Sequence, residues 1–231
     1  VMYFKNEPKY DAGTTTVESY VTNSQWHGIS APISGLTASD LMINSGATDV
    51  YLKTHDESSN TYSYVTSTGQ SLGTAEGFFV WIDDASAHTY EFSGTLNSGT
   101  PSQSVTYSGS GKGFNFVGNP WSSAIDWDAS PGWTKTNVNN ATYVFKGNGA
   151  GSGTWASYVG GAGTNDGSRY IAMNQGFFVE ASAGGTLSMT NEVCVHNSVA
   201  FRNSNNTDQI IRIEVQDGDL SDDAIIKFAD D

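Results

Sequence analysis

Carboxylates stand in close pairs at Asp83/Asp84, Asp126/Asp128, Asp217/Asp219 and Asp222/Asp223. Two carboxyl groups held across a cleft could cleave a glycosidic bond. These pairs, however, lie next to each other in sequence, in stretches rich in turn residues, and read as turn caps and loop anchors. The segment "DGDLSDD" at 217-223 is the most metal-like: Asp217, Asp219, Asp222 and Asp223 gather hard oxygen donors around a Gly turn, as a calcium loop does. It lacks the spacing and closing Glu of an EF-hand, and a two-stranded hairpin explains Asp217-Gly218 equally well. Calcium is the one cofactor these residues leave open.

Histidines at 27, 55, 88 and 196 fall at no zinc spacing, and no Gly-x-Ser-x-Gly elbow occurs. The glycine-rich stretch 147-170 has neither the spacing nor the strand-to-helix context of a phosphate loop. The residues therefore predict a protein that is not an enzyme. Aromatic rings are the remaining binding chemistry. Trp121, Trp127, Trp133 and Trp155 cluster in the second half of the chain, where their faces could stack on sugars while Asp126, Asp128 and Asn119 take hydroxyls. Packing competes with that reading and is favoured, because "AIDWD" sets Ile125 and Trp127 on one face, as buried strand residues are.

With 231 residues the chain can bury a sizeable core without staples. Aromatics make up 12 %, charged residues only 15 %, and Gly, Ser, Thr and Asn are abundant, a mixture that suits short strands and tight turns rather than disorder. A formal charge of -14 repels nucleic-acid phosphate and anionic lipid, and fits a solvated secreted surface. Cys194 is the single cysteine, flanked by Val193 and Val195 as a buried, inert strand thiol would be. No apolar run approaches a membrane span, and no signal peptide opens the chain. The opening "VMYFKNEP" reads as the inside of a strand, which predicts a fragment or a processed chain exported by a signal lying elsewhere.

The elements that must position these residues are nearly all strands. Runs of apolar and β-branched residues fall at 15-21, 26-31, 49-54, 61-66, 76-82, 88-93, 103-108, 113-118, 141-146, 154-159, 169-180, 185-190, 193-196, 209-216 and 223-228. One short helix is predicted within 35-46, with Leu36, Leu41, Met42 and Ile43 as its apolar face. The tetrapeptide Gly-Phe-Phe-Val occurs twice, in "AEGFFVWIDD" (75-84) and "NQGFFVEASA" (174-183). Flanking words recur in the same order: "WHGISAPIS" (26-34) with "FNFVGNPWS" (114-122), "DVYLKT" (49-54) with "ATYVFK" (141-146), "TYSYVTS" (61-67) with "WASYVGG" (155-161), and "SGTLN" (93-97) with "GGTLS" (184-188). This predicts an all-β sandwich or jelly-roll-like fold built from two duplicated half-units, about 25-97 and 113-190, within a body spanning 25-199. Residues 1-24 are expected to be an N-terminal strand or the end of a preceding β region, and 200-231 a strand pair or the start of another module. Alternation puts Phe78 and Val80 on one face of their strand and Phe79 and Trp81 on the other, so that strand should be covered on both sides. In the second word Phe178 shares its face with Glu180, which predicts a side that opens to water at the strand's end.

On these words the chain resembles a recurrent module of large secreted surface proteins of Bacteroidota-type bacteria, commonly exported by type IX secretion. Trp26, His27, Ser30 and Pro32, then Phe114, Asn115, Gly118, Asn119, Pro120, Ser122, Ile125, Asp126 and Trp127, then Gln175, Gly176, Phe177 and Phe178 carry the likeness over roughly residues 13-200. The tail "IIRIEVQDGDLSDDAIIKFADD" is similar to the segment that follows in such proteins. The resemblance implies an extracellular, cell-surface, adhesin-like structural β-module. Its partners would be other copies of itself or surface proteins, and its strand-like ends "VMYFKN" and "DDAIIKF" could support a filament grown by strand addition. The alternative is a carbohydrate-binding module of a secreted polysaccharide-degrading protein, its ligand residues being Trp121, Asp126, Trp127, Asp128, Trp133 and Trp155.

Overall fold

The first strands alternate strictly in burial, as half-covered strands do: Val17, Ser19 and Val21 turn inward while Thr16, Glu18 and Tyr20 face out. The computed structural model describes residues 15-43, 49-149, 151-197, 199, 209-217 and 220-228, the last two ranges as backbone alone. The first half of the chain forms β1 (Thr15–Val21), β2 (Trp26–Ser30), α1 (Ala38–Ile43), β3 (Val50–Asp56), β4 (Thr61–Tyr64), β5 (Gly77–Ile82) and β6 (His88–Gly94). The second forms β7 (Ser102–Val105), β8 (Phe114–Gly118), β9 (Ala124–Asp126), β10 (Trp133–Gly147), β11 (Gly153–Val159), β12 (Ala162–Thr164), β13 (Tyr170–Ile171), β14 (Gly176–Met189) and β15 (Cys194–Val195). A separate hairpin, β16 (Gln209–Asp217) with β17 (Leu220–Phe228), follows. The all-β sandwich architecture expected from the strand pattern is present.

In the first half, β1 pairs with β6, and β2-β5-β3-β4 make a four-stranded antiparallel sheet. Between these sheets lies a core of Val17, Val21, Ile29, Leu52, Phe78, Val80, Ile82, Tyr90 and Phe92, closed by Leu41 of α1. The helix is as short as expected: the Thr37 N–H donates to Asp40 Oδ2 at 2.7 Å as a start cap. In the second half, β8 and β10 flank β14, and β11 extends the sheet. Its core joins Val117, Ile125, Trp127, Ile171, Phe177, Val179, Leu187 and Met189.

The two larger sheets have the same strand order, β2-β5-β3-β4 and β8-β14-β10-β11, and matching registers. Ile29 faces Phe78 as Val117 faces Phe177, and Lys53 faces Phe79 as Tyr143 faces Phe178. The matched words slip here. Tyr143 stands where Lys53 stands, not Tyr51, and Ser157 occupies the place of Tyr64 rather than of Ser63. Two other expectations change. The run 169-180 breaks at Asn174, whose φ of 58° ends β13 and turns the chain into β14. A strand also runs through the polar "TKTNVNN", which pairs with the second part of β14 with register shifts that place Asn137 at φ 58°.

The sheets interlock where the Gly-Phe-Phe-Val words begin. The Ser30 N–H donates to Asn174 O at 3.1 Å and the Gly118 N–H to Ala75 O at 2.9 Å, and bridges join Ile29 to Gln175 and Val117 to Glu76. Each half thus lends the turn before its Phe-Phe strand to the other half's short strand. Glycine is required at this crossing: a Cβ on Gly77 would lie 2.5 Å from Val117 O, and one on Gly118 would lie 2.2 Å from Ser30 Cβ. The first Phe of each word enters its own half's core, and the second enters a third, aromatic cluster of Phe79, Phe116 and Phe178 between the halves. Phe178 is accordingly 3 % exposed, and its face opens to water only further along the strand. Only Glu180, further along, is partly exposed.

The strand-addition reading concerns residues 1-14, which lie outside the described residues, and β17, which pairs with β16.

Candidate functional site

The tryptophan-carboxylate cluster of the second half is a packed knot. Trp127 is completely buried, its Nε1 donating to Asn140 Oδ1 at 2.8 Å, and Trp133 meets it edge-on, centroids 4.9 Å apart at 62°. Trp133 Nε1 donates to Asp126 O at 2.7 Å, and Trp121 is 8 % exposed. Arg169 clasps Asp126 through Nε (2.6 Å) and Nη2 (2.5 Å) and lies 3.8 Å from Asp128, which also accepts the Tyr158 hydroxyl. Lys135 donates to Trp127 O at 2.6 Å with its ammonium 3.5 Å from the Trp127 ring centroid. Burial lowers its pKa to about 8 against the opposing pull of Asp128 and Asp126. A sugar ring cannot reach Trp127 or Trp121, so stacking on them is excluded as a physical arrangement. Asp126, Asp128 and Trp133 serve to anchor the connection between β9 and β10. Of the tryptophans singled out in sequence, Trp155 alone lies elsewhere, on β11, 39 % exposed.

The remaining candidates divide simply. Asp84 caps its turn through the Ala85 N–H (2.6 Å) and approaches His88 Nε2 at 3.3 Å. Cys194 is buried in β15, its thiol pKa pushed up to about 11 by burial. His27 is fully buried and bonded to Thr22. Asp217 and Leu220 are paired as the ends of a hairpin; Asp219 and the side chains of Asp217, Asp222 and Asp223 lie outside the described residues, and with them the calcium question. Among the described residues no group of three His, Cys, Asp or Glu converges as a metal site, and no helix is long and apolar enough to cross a membrane.

Trp155 belongs to a different assembly, built by alternation along paired strands. On β3, Leu52 enters the first core while Tyr51, Lys53 and His55 point to the opposite face; on β4, Tyr64 pairs with Lys53 and Tyr62 with His55. Trp26 and Phe79, from β2 and β5, share that face, as their ring contact shows. From the other half, Phe145 and Trp155 pair across β10 and β11. The buried centre between the sheets is Phe116 stacked on Phe178, 4.4 Å apart at 5° and with Phe79 4.5 Å away. Towards one side the layer opens as a cleft of about 330 Å³ lined by Trp26, Lys53, Tyr62, Phe79, Phe145 and Trp155. Tyr62 is 44 % and Tyr64 57 % exposed, and burial of the Tyr62 ring raises its pKa. Neither half contains the cleft alone.

A second, polar cavity of about 310 Å³ has His55, Glu57, Glu76, Gln103 and Asn115 in its wall. Glu57, from the β3-β4 turn, accepts from Thr106 Oγ1 (2.9 Å), the Ser108 N–H (2.8 Å) and hydroxyl (2.7 Å), and the Gly113 N–H (2.8 Å). Burial alone would raise its pKa, but these donors hold the carboxyl below its usual value. It acts as a staple between halves.

The sequence reading overlooked Lys53, Tyr62 and Phe145. The signal for Lys53 and Tyr62 was the alternation in "VYLKTHD" and "TYSY", where rings and a cation occupy the face opposite Leu52. No protein family, curated protein or solved structure matches the chain.

Proposed function

We propose that this protein is a non-enzymatic, extracellular, adhesin-like β-module that holds a saccharide in the aromatic cleft between its two halves. The observation that carries the reading is the cleft itself. Exposed rings otherwise need no explanation singly, but Tyr62 and Trp155 stand with Trp26 and Phe145 around one concavity whose floor is the buried Phe79. Its volume is at the lower end of the roughly 300-1,000 Å³ of ligand sites. Rings fixed by neighbours on paired strands offer flat, preorganised faces to a sugar's C–H bonds at little entropic cost. The equal strand order and register of the two sheets support duplication of one unit, with the interlock serving as a rigid frame. The Trp-His-x-Ile-Ser and Phe-Asn-x-Val-Gly-Asn-Pro-Trp words support export to a cell surface.

Glycan-array and polysaccharide-pulldown binding tests the reading. Trp155→Ala and Tyr62→Ala should each weaken binding by about 2 kcal/mol, roughly thirtyfold, as anchoring aromatics do. Failure of the folded wild-type protein to retain any glycan would overturn it. Antibody labelling of intact cells checks the location, and protein confined to lysate contradicts display.

A further inference from the structure

Lys53 places a cation inside the aromatic cleft of a protein whose formal charge is -14. Its ammonium sits 4.2 Å from the Trp26 ring centroid and 4.6 Å from that of Tyr64. The ion pairs among the described residues belong to His88, Lys146 and Arg169, and none of them involves Lys53. None of the residues lining the cleft is acidic. Cation-ring contacts hold the ammonium in place without neutralising it, so the cleft combines flat apolar faces with one uncompensated positive charge.

We infer that the cleft is built for an acidic saccharide, one whose rings carry carboxylates, as uronic acids do. A pyranose face would lie against Trp155 and Tyr62 while its carboxylate accepts a charge-assisted hydrogen bond from Lys53 Nζ. At physiological salt the screening length is about 8 Å, so the protein's overall negative charge is largely screened at a distance and the groups lining the cleft decide the local attraction. Among the residues lining the cleft, Lys53 is the charged one. This inference rests on the saccharide reading above and adds the class of sugar.

The test uses an oligogalacturonate of six units and its fully methyl-esterified form, which keeps the rings and removes the charge, with binding followed by calorimetry. The acidic oligomer should bind about tenfold more tightly than the ester, the size of one charge-assisted hydrogen bond. Lys53→Met should abolish that difference, and Lys53→Arg should restore most of it. Raising salt should weaken the acidic oligomer selectively. Equal affinities for both oligomers, or a difference that survives in a folded Lys53→Met variant, would overturn the acidic preference and leave the saccharide reading standing. Binding of neither oligomer nor any neutral glycan would overturn both.

Discussion

Removing the Phe116 ring should weaken the whole molecule rather than one half of it. The side chain is 7 % exposed, stacks on Phe178 at 4.4 Å and lies 4.5 Å from Phe79, so it touches the second Phe of both Gly-Phe-Phe-Val words. Truncating a buried Phe to Ala costs about 3-5 kcal/mol in lost transfer energy and cavity, within which each ring pair accounts for roughly 0.5-1.5 kcal/mol. In a chain of this size one kcal/mol shifts Tm by about 2-4 °C, so Phe116→Ala should melt roughly 6-20 °C below wild type. Calorimetry gives the size of the shift. Tryptophan fluorescence, weighted towards the second half, should lose its signal at the same temperature as far-UV circular dichroism in the wild type. Because Phe116 and Phe178 share their stacking energy, the double variant Phe116→Ala/Phe178→Ala should fall short of additivity by about 0.5-3 kcal/mol. A Phe116→Ala melt within 2 °C of wild type, or strict additivity with Phe178→Ala, would refute the shared layer.

Gly118→Ala should destabilise by at least about 1-3 kcal/mol, since its Cβ would collide with Ser30 Cβ at 2.2 Å and Glu76 O at 2.6 Å; Gly69→Ala, whose Cβ meets only Ser67 Oγ at 3.9 Å, is the control, measured in urea. Glu57 is held below its usual pKa, so its stabilising contribution is complete above the ordinary Glu value of about 4.3 and disappears as pH falls through the folded-state value. Glu57→Gln should therefore cost roughly 1-3 kcal/mol at pH 7 and show a shallower loss of Tm on acidification than wild type; parallel pH profiles for the two proteins would remove Glu57 as the source.

Much of this fold was legible because its strands obey simple alternation, and the two Phe-Phe words identified the pair of central strands directly. The same rule placed Trp127 in the core through its spacing from Ile125, and Trp127 is fully buried. Legibility failed where a local conformation overrode composition. Asn174 at positive φ divides an apparently continuous run, while Thr134, Lys135 and Thr136 form strand because β14 supplies paired partners. The cleft was hidden for another reason. Lys53 and Trp155 lie about a hundred residues apart and meet only because the outward faces of two sheets are apposed, a fact that alternation in either strand cannot contain.

That apposition both joins the halves and leaves the cleft open. A lone four-stranded sheet with Trp26, Tyr62 and Phe79 on one face would expose a large apolar patch, a liability in water. A second sheet of the same order covers its centre with Phe116 and Phe178, and the glycines at 77 and 118 let the backbones come close enough for those rings to stack. Complete coverage would leave a packed core and nothing to bind with. Here Phe145 and Trp155 of the second sheet stand across from Trp26 and Tyr62 without filling the space between, so the remaining rings form walls instead of filler. The apolar face that would make one sheet insoluble becomes, with its counterpart in place, both the contact that joins the halves and the wall of the cleft.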